Sequence, residues 1–273
     1  KEERPVIYLD AEGRLKEMTL LGVDGLDKDK MQITHSEDEP LSAEAFLDIA
    51  VKLCSAKDNY GCVCIIDSTS SLMPERELDG DMSPGRAGLP RILSVFCKKM
   101  GQIVPNQRIT MIVITHYITN TSGYGPTRMP DCGKKIQYQA DTRMEVKSIK
   151  AWEQSEKQVG QAVNWKILCS SMGPPGGECQ SWLRYGNGID KTQELVILGQ
   201  ETGLIAKAGA WLTCEFMLGH LDEVKKINPD LDTSDTEAVL KSVKFQGQEK
   251  LYNFLVTNST VCDILEKEIK SML

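Results

Sequence analysis

Three short, greasy runs constrain this chain more than any other feature: PVIYLD (5–10), CVCIID (62–67) and RITMIVITH (108–116). Each is apolar almost throughout, the composition of a strand buried on both faces, and each is short enough for a strand rather than a helix. Between the first two, residues 43–57 place Phe46, Ile49, Ala50 and Leu53 on the helical period. Between the second and third, a segment broken by glycine and proline (74–88) leads into another helical pattern at 89–104. Strand, helix, strand, helix, strand predicts an α/β fold whose parallel sheet is covered by helices.

A chain of 273 residues is long enough for one large domain with a small appendage. No apolar run approaches a membrane span and KEERPVIYLD has no signal-peptide pattern, so a cytoplasmic protein with no membrane partner is expected. Nine scattered cysteines, an odd number with several inside strand-like runs, suit reduced and mostly buried thiols better than a disulfide framework. Cys62 and Cys64 share one strand face, but no second pair stands at zinc-site spacing, and His35, His116 and His220 make no HExxH pattern. A net charge of −7 repels nucleic acid on average. The basic residues are clustered, however, and clusters outweigh averages in binding.

After the third run, residues 117–135 are rich in Gly, Pro, Thr and Ser and show no periodicity. A loop of that length is functional or disordered. Alternating runs at 140–149, 162–171 and 180–186 predict antiparallel strands that complete the sheet. From Leu204 the character changes, with an acidic stretch (222–237) followed by helical patterns around 247–257 and 259–273. The expected division is a core at 1–203 and a small C-terminal α/β domain at 204–273.

The three greasy runs share a second property. They end in polar groups: Asp10 with Glu12, Asp67 with Ser68, and Thr115 with His116. One such ending is ordinary turn chemistry. Three on neighbouring parallel strands would meet in the crevice where open α/β sheets bind ligands, and would suit a magnesium-bound nucleotide.

On these residues the sequence resembles the RecA recombinases, and among them the UvsX-like proteins of T-even phages. The matching stretches are YLDAEG (8–13), LGVD (21–24), IIDSTSSLMPERELDGDM (65–82), ITH (114–116), ADTRMEV (140–146), YGNGID (185–190) and KAGAW (207–211). Residues 244–273 are similar to the end of the family's C-terminal domain, whereas 215–243 have no counterpart and read as an insertion.

The resemblance implies a RecA-like ATPase core that uses ATP and Mg²⁺. Glu12 stands for the acidic residue that positions the attacking water, a role that in-line hydrolysis requires. Asp67 stands for the aspartate that binds magnesium through its water shell, and Ser68 follows it as in the family. His116 stands for the sensor of the γ-phosphate; a satisfied histidine at a strand end is the alternative. Segments 79–88 and 117–135 match the family's two DNA-binding loops. The first carries Arg86, with Arg91 and Lys99 on the helix behind it, and the second carries Arg128, Gly133, Lys134 and Lys135. Singly, each charge reads as a solvated surface residue. Together they imply single-stranded DNA as a partner, double-stranded DNA during exchange, and further copies of the chain in a filament, with Tyr117, Tyr124 or Met129 against the bases.

The sequence departs from the family in three places. No GxxxxGK(S/T) phosphate loop occurs, and CGKK (132–135) lacks the first glycine, so the chain reads as starting just after that loop. These residues alone are then expected not to hydrolyse ATP, while the longer parent does. GRLKEMTLLG (13–22) has no aromatic to stack on adenine, and Cys169 and Ser171 stand where the family has a basic pair that reaches a neighbouring subunit's nucleotide. The expected function is ATP-dependent homologous recombination by filaments on single-stranded DNA. The alternative is a non-catalytic RecA-like paralogue that binds DNA or regulates a recombinase.

Overall fold

The computed structural model describes residues 4–16, 20, 23, 26–35, 40–78, 80, 88–121, 124–154 and 156–272. Contacts group the chain into two compact units, Lys1–Met144 with Ile167–Gly177, and Glu145–Lys166 with Glu178–Leu273.

In the first unit the three greasy runs form β1 (Val6–Asp10), β3 (Val63–Asp67) and β4 (Thr110–Val113), and β2 (Met31–His35) joins them as an edge strand. All pairings are parallel, in the order β2-β1-β3-β4, with Tyr8 opposite Ile65 and Asp10 opposite Asp67. The helices are α1 (Ala43–Ser55), a short α2 (Glu75–Leu78) and α3 (Leu89–Gln107). The predicted α/β fold, a parallel sheet flanked by helices, is the fold of this unit.

Alternation decides its core. Ile7, Leu9, Cys64 and Ile66 are fully buried against Phe46, Leu47 and Ala50 of α1 and Leu93, Phe96 and Met100 of α3, whose spacings of three and four put them on single helix stripes. Each such large side chain stabilises the fold by about 1.5–3 kcal/mol. Ser42 caps α1 by accepting a hydrogen bond from Ala45 N at 3.2 Å, and Pro90 sits in the first turn of α3, where its missing N–H costs nothing. All nine cysteines are free, and burial pushes the Cys62 thiol up to about 11.

The described residues of 117–135 are structured where no periodicity was visible. They hold an antiparallel hairpin of β5 (Tyr117–Thr119) and β6 (Arg128–Pro130), then the start of α4 (Gly133–Gln139). Three-residue strands are too short to show alternation. Gly133 opens α4 at φ +71°, a left-handed conformation, with Pro90 Cβ only 3.1 Å from where a side chain would begin.

The second unit takes the larger parts of β7 (Thr142–Gln154) and β8 (Lys157–Ser170), with β9 (Glu178–Arg184) and β10 (Gly188–Ile189), in the order β10-β9-β8-β7. It continues with α5 (Lys191–Glu201), β11 (Ile205–Ala208), β12 (Trp211–Cys214), α6 (Leu221–Ile227), α7 (Thr236–Ser242), β13 (Lys244–Gln246), α8 (Gln248–Thr257) and α9 (Ser259–Met272). The last two match the helical patterns at 247–257 and 259–273. The units cross the 203/204 boundary drawn from the sequence, because Leu195 and Val196 of α5 pack with Ile205, Leu212, Leu255 and Leu265 in one core. Residues 215–243 are integral to that core, which buries Phe216, Met217, Val224, Val239 and Val243. Among the described residues no helix is long and apolar enough to cross a membrane.

Candidate functional site

The carboxyl ends of β1, β3 and β4 carry the polar residues, and backbone bonds lock these ends together. Ala11 N and Glu12 N both donate to Asp67 O, at 2.8 and 3.3 Å, which folds the chain after β1 across the end of β3. Asp10, buried, accepts hydrogen bonds from Arg14 N and Leu15 N at 3.2 and 2.8 Å and so fixes the turn that presents Glu12. Thr69 N donates to Ile114 O at 3.0 Å, tying the end of β3 to the segment that follows β4.

Within this frame Glu12 is the hub. Its side chain is only 10% exposed; Oε1 accepts from Ser68 Oγ at 2.8 Å and lies 3.0 Å from His116 Nε2, while Oε2 lies 3.4 Å from Arg14 Nη1. His116 is itself fixed through its main chain, donating from N to Ser70 Oγ at 2.9 Å and accepting from Asp131 N at 2.9 Å. Beside them the Tyr8 hydroxyl donates to Asp67 Oδ2 at 2.6 Å. Burial, and then the neighbouring Asp67 carboxylate, push the Tyr8 phenol above its usual range. The Asp67–Ser68 peptide is cis.

Glu12, Asp67, Ser68 and His116 are thus brought together, but the basic residues are not part of that cluster. Lys99 Nζ on α3 lies 2.9 Å from Asp48 Oδ1 on α1 and holds that carboxyl below the usual range. Arg91 is exposed near the start of α3, and Lys134 and Lys135 are exposed in the first turn of α4, which Gly133 opens. The Arg128 guanidinium stacks over the Tyr117 ring at 5.6 Å in the hairpin, and Tyr124 between its strands is 87% exposed. Arg86 lies outside the described residues. Ser171 N donates to Asp141 O at 2.8 Å, and Cys169 is half-buried.

Tyr8, Arg14 and Ser70 were not singled out from the sequence, and Asp10 was named only as a polar strand ending. A signal for Tyr8 existed: on a strand it shares a face with Asp10, two residues on.

A nearly buried carboxylate held by a hydroxyl and an imidazole can orient a water or accept its proton. The carboxylate oxygens of Asp67 are hard donors of the kind magnesium takes. Among the described residues no group of three His, Cys, Asp or Glu side chains forms a metal cage.

A family model of the RecA N-terminal domain matches residues 1–190. Protein RecA of Oleidesulfovibrio alaskensis is 32% identical over 190 residues, covering 68% of this chain and 52% of that protein. Protein RecA of Mycobacterium marinum is 29% identical over 253 residues, covering 91% and 64%. The chain therefore spans between about half and two thirds of the length of these relatives. A crystal structure of the RadB recombinase superposes with a TM-score of 0.48 at 15% identity, over 68% of this chain and 78% of that one. With the family model spanning the strands and loops that build the site, the chain belongs to the RecA family.

Proposed function

We propose that this chain belongs to a DNA-recombination protein of the UvsX-like branch that binds ATP with Mg²⁺, assembles as a filament on single-stranded DNA and promotes strand exchange with double-stranded DNA. The observation that carries the reading is the hold on Glu12 by Ser68 and His116, at the ends of three parallel strands in a RecA-family chain. Hydrolysis of a nucleotide asks the protein for positioning and charge rather than covalent chemistry, and a carboxylate must orient the attacking water. Glu12, held by Ser68 and His116, is the carboxylate we propose for that task. Asp67 would hold magnesium through water, and a bound ion neutralises charge on the β- and γ-phosphates. The 273 residues contain no GxxxxGK(S/T), so the reading requires phosphate-cradling groups from elsewhere in the polypeptide.

His116 joins the two halves of the function. Its ring reaches Glu12, and its main chain closes the base of the β5–β6 hairpin through Asp131. Arg128, Lys134 and Lys135 on or after that hairpin, with Arg91, Lys99 and Arg86 on the other segment, supply phosphate contacts, and Tyr124 offers a ring to the bases. The site of action is the cytoplasm of a bacterial or phage-infected cell.

The test is Glu12→Gln in the full-length protein. Phosphate release stimulated by single-stranded DNA should fall at least about a hundredfold, as loss of a positioned base does, while ATP and DNA binding persist. Release at the wild-type rate overturns the reading. The neutral Cys169 and Ser171 favour a second reading, a non-catalytic RecA-like regulator or DNA-binding protein. It gains the field if the full-length wild type binds single-stranded DNA but releases no phosphate.

A further inference from the structure

We infer that Tyr8 is a positioning residue for Asp67, whose phenol holds the carboxylate in the one orientation that receives a hydrated divalent cation. The inference rests on the reading of Asp67 given above. Parallel pairing puts Tyr8 opposite Ile65 on β3, so Tyr8 and Asp67 lie on the same face, one diagonal step apart. A phenol spans such a step where a shorter hydroxyl would not. The O–H···O separation of 2.6 Å is that of a charge-assisted bond, among the stronger kinds a neutral donor makes.

The rest of Asp67 is already fixed. Its carbonyl receives both Ala11 N and Glu12 N, so the backbone cannot shift without undoing the turn that presents Glu12. Only the carboxylate torsions remain. Among the described residues Oδ2 takes the Tyr8 bond and Oδ1 takes none, so Tyr8 alone selects the rotamer and leaves one oxygen available to a ligand. Without the hydroxyl, Asp67 spreads over several rotamers. The apparent cation affinity then falls by the fraction that is competent. Partners that orient a metal-binding group typically cost 10–100-fold in affinity when removed, and a ligand acting through water belongs at the low end, about tenfold.

Tyr8→Phe in the full-length protein tests this, with Mn²⁺ as the probe. Binding of Mn²⁺ in the presence of a non-hydrolysable ATP analogue is read by electron paramagnetic resonance, beside the Mg²⁺ concentration that half-saturates DNA-stimulated hydrolysis. Both midpoints should move up about tenfold, raising Mg²⁺ should recover most of the lost rate, and the thermal midpoint should stay put. Asp67→Asn is the companion variant. If it abolishes the cation dependence while Tyr8→Phe leaves both midpoints in place, the Tyr8 inference is wrong and the site stands. A drop in rate for Tyr8→Phe that excess cation does not restore also overturns it, since only packing was lost. If Asp67→Asn itself leaves the cation dependence intact, the reading of the site fails and takes the inference with it.

Discussion

His116 Nε2 lies 3.0 Å from Glu12 Oε1, while the carbonyl of the same histidine accepts a hydrogen bond from Asp131 N at 2.9 Å. One residue therefore connects the candidate catalytic carboxylate to the base of the β5–β6 hairpin. Removing the ring while keeping the main chain should leave the hairpin formed but disconnected from Glu12. In the full-length protein His116→Ala is expected to cut the ratio of DNA-stimulated to basal hydrolysis by about tenfold or more, the scale of one lost polar contact at a reacting centre. A stimulation ratio equal to wild type would show that the hairpin communicates by another route.

Asp190 anchors the second unit. With its side chain 6% exposed, it accepts Arg184 Nε at 2.6 Å and the Tyr252 hydroxyl at 2.8 Å, and it caps α5 through Gln193 N at 2.9 Å. The Arg184 guanidinium also stacks on Trp152 at 4.4 Å, so the ion it loses cannot be replaced by water without disturbing that packing. Asp190→Ala is expected to destabilise the protein by about 3 kcal/mol or more, the cost of leaving one partner of a buried pair alone. Urea denaturation followed by circular dichroism measures it. Asp190→Asn, which can still cap the helix, should cost less.

Glu266 on α9 sits between Lys191 at 2.5 Å and Lys270 at 2.9 Å. Those two ammonium groups, Lys191 first, hold its carboxyl down to about 2 from an ordinary 4.5. A carboxyl whose folded value is depressed stabilises the fold fully above its unfolded value. Here that contribution is present above about pH 4.5 and is lost as pH falls toward about 2. Because the pairs are on the surface, the contribution should be under about 1 kcal/mol and shrink with salt. Carboxyl titration by nuclear magnetic resonance should find Glu266 well below a free glutamate, and Glu266→Gln should flatten the acid limb of the stability curve. A free-glutamate titration would mean that neither lysine is engaged in solution.

Lys134 and Lys135 are exposed side by side in the first turn of α4. If both meet phosphate, replacing the pair by alanine should flatten the log–log salt dependence of single-stranded DNA binding by about 1 to 2. Fluorescence anisotropy over a salt series reads the slope directly. An unchanged slope would leave both lysines in solvent.

The elements legible in the sequence were those whose burial leaves a local period. Ile7 with Leu9, Cys64 with Ile66, and the stripe Leu89, Leu93, Phe96, Met100 announce β1, β3 and α3 because each buries one repeating set of positions. β2 escaped notice since an edge strand buries little: Met31 and Thr34 are half-buried and Gln32, Ile33 and His35 are exposed. α5 escaped because its apolar residues do not form one clean stripe, and residues 215–243 read as an insertion because the resemblance offered no counterpart for them, although they bury Val224 and Val239 in the second core.

At the site, the polar endings named Glu12, Asp67, Ser68 and His116, since a carboxylate or imidazole at the carboxyl end of a buried strand is visible one residue at a time. What no local pattern contains is register. Whether Tyr8 reaches Asp67, whether Ser68 and His116 converge on Glu12, and whether Lys99 pairs with Asp48 depend on strands and helices far apart in sequence settling side by side. The sequence by itself determined the strands β1, β3 and β4, the helices α1, α3, α8 and α9, and the polar residues that end those strands, because side-chain period and turn chemistry are local. Only the tertiary structure decided which of those residues touch, because pairing Tyr8 with Ile65 rather than with its neighbours is a non-local choice, made by the packing of the whole sheet against α1 and α3.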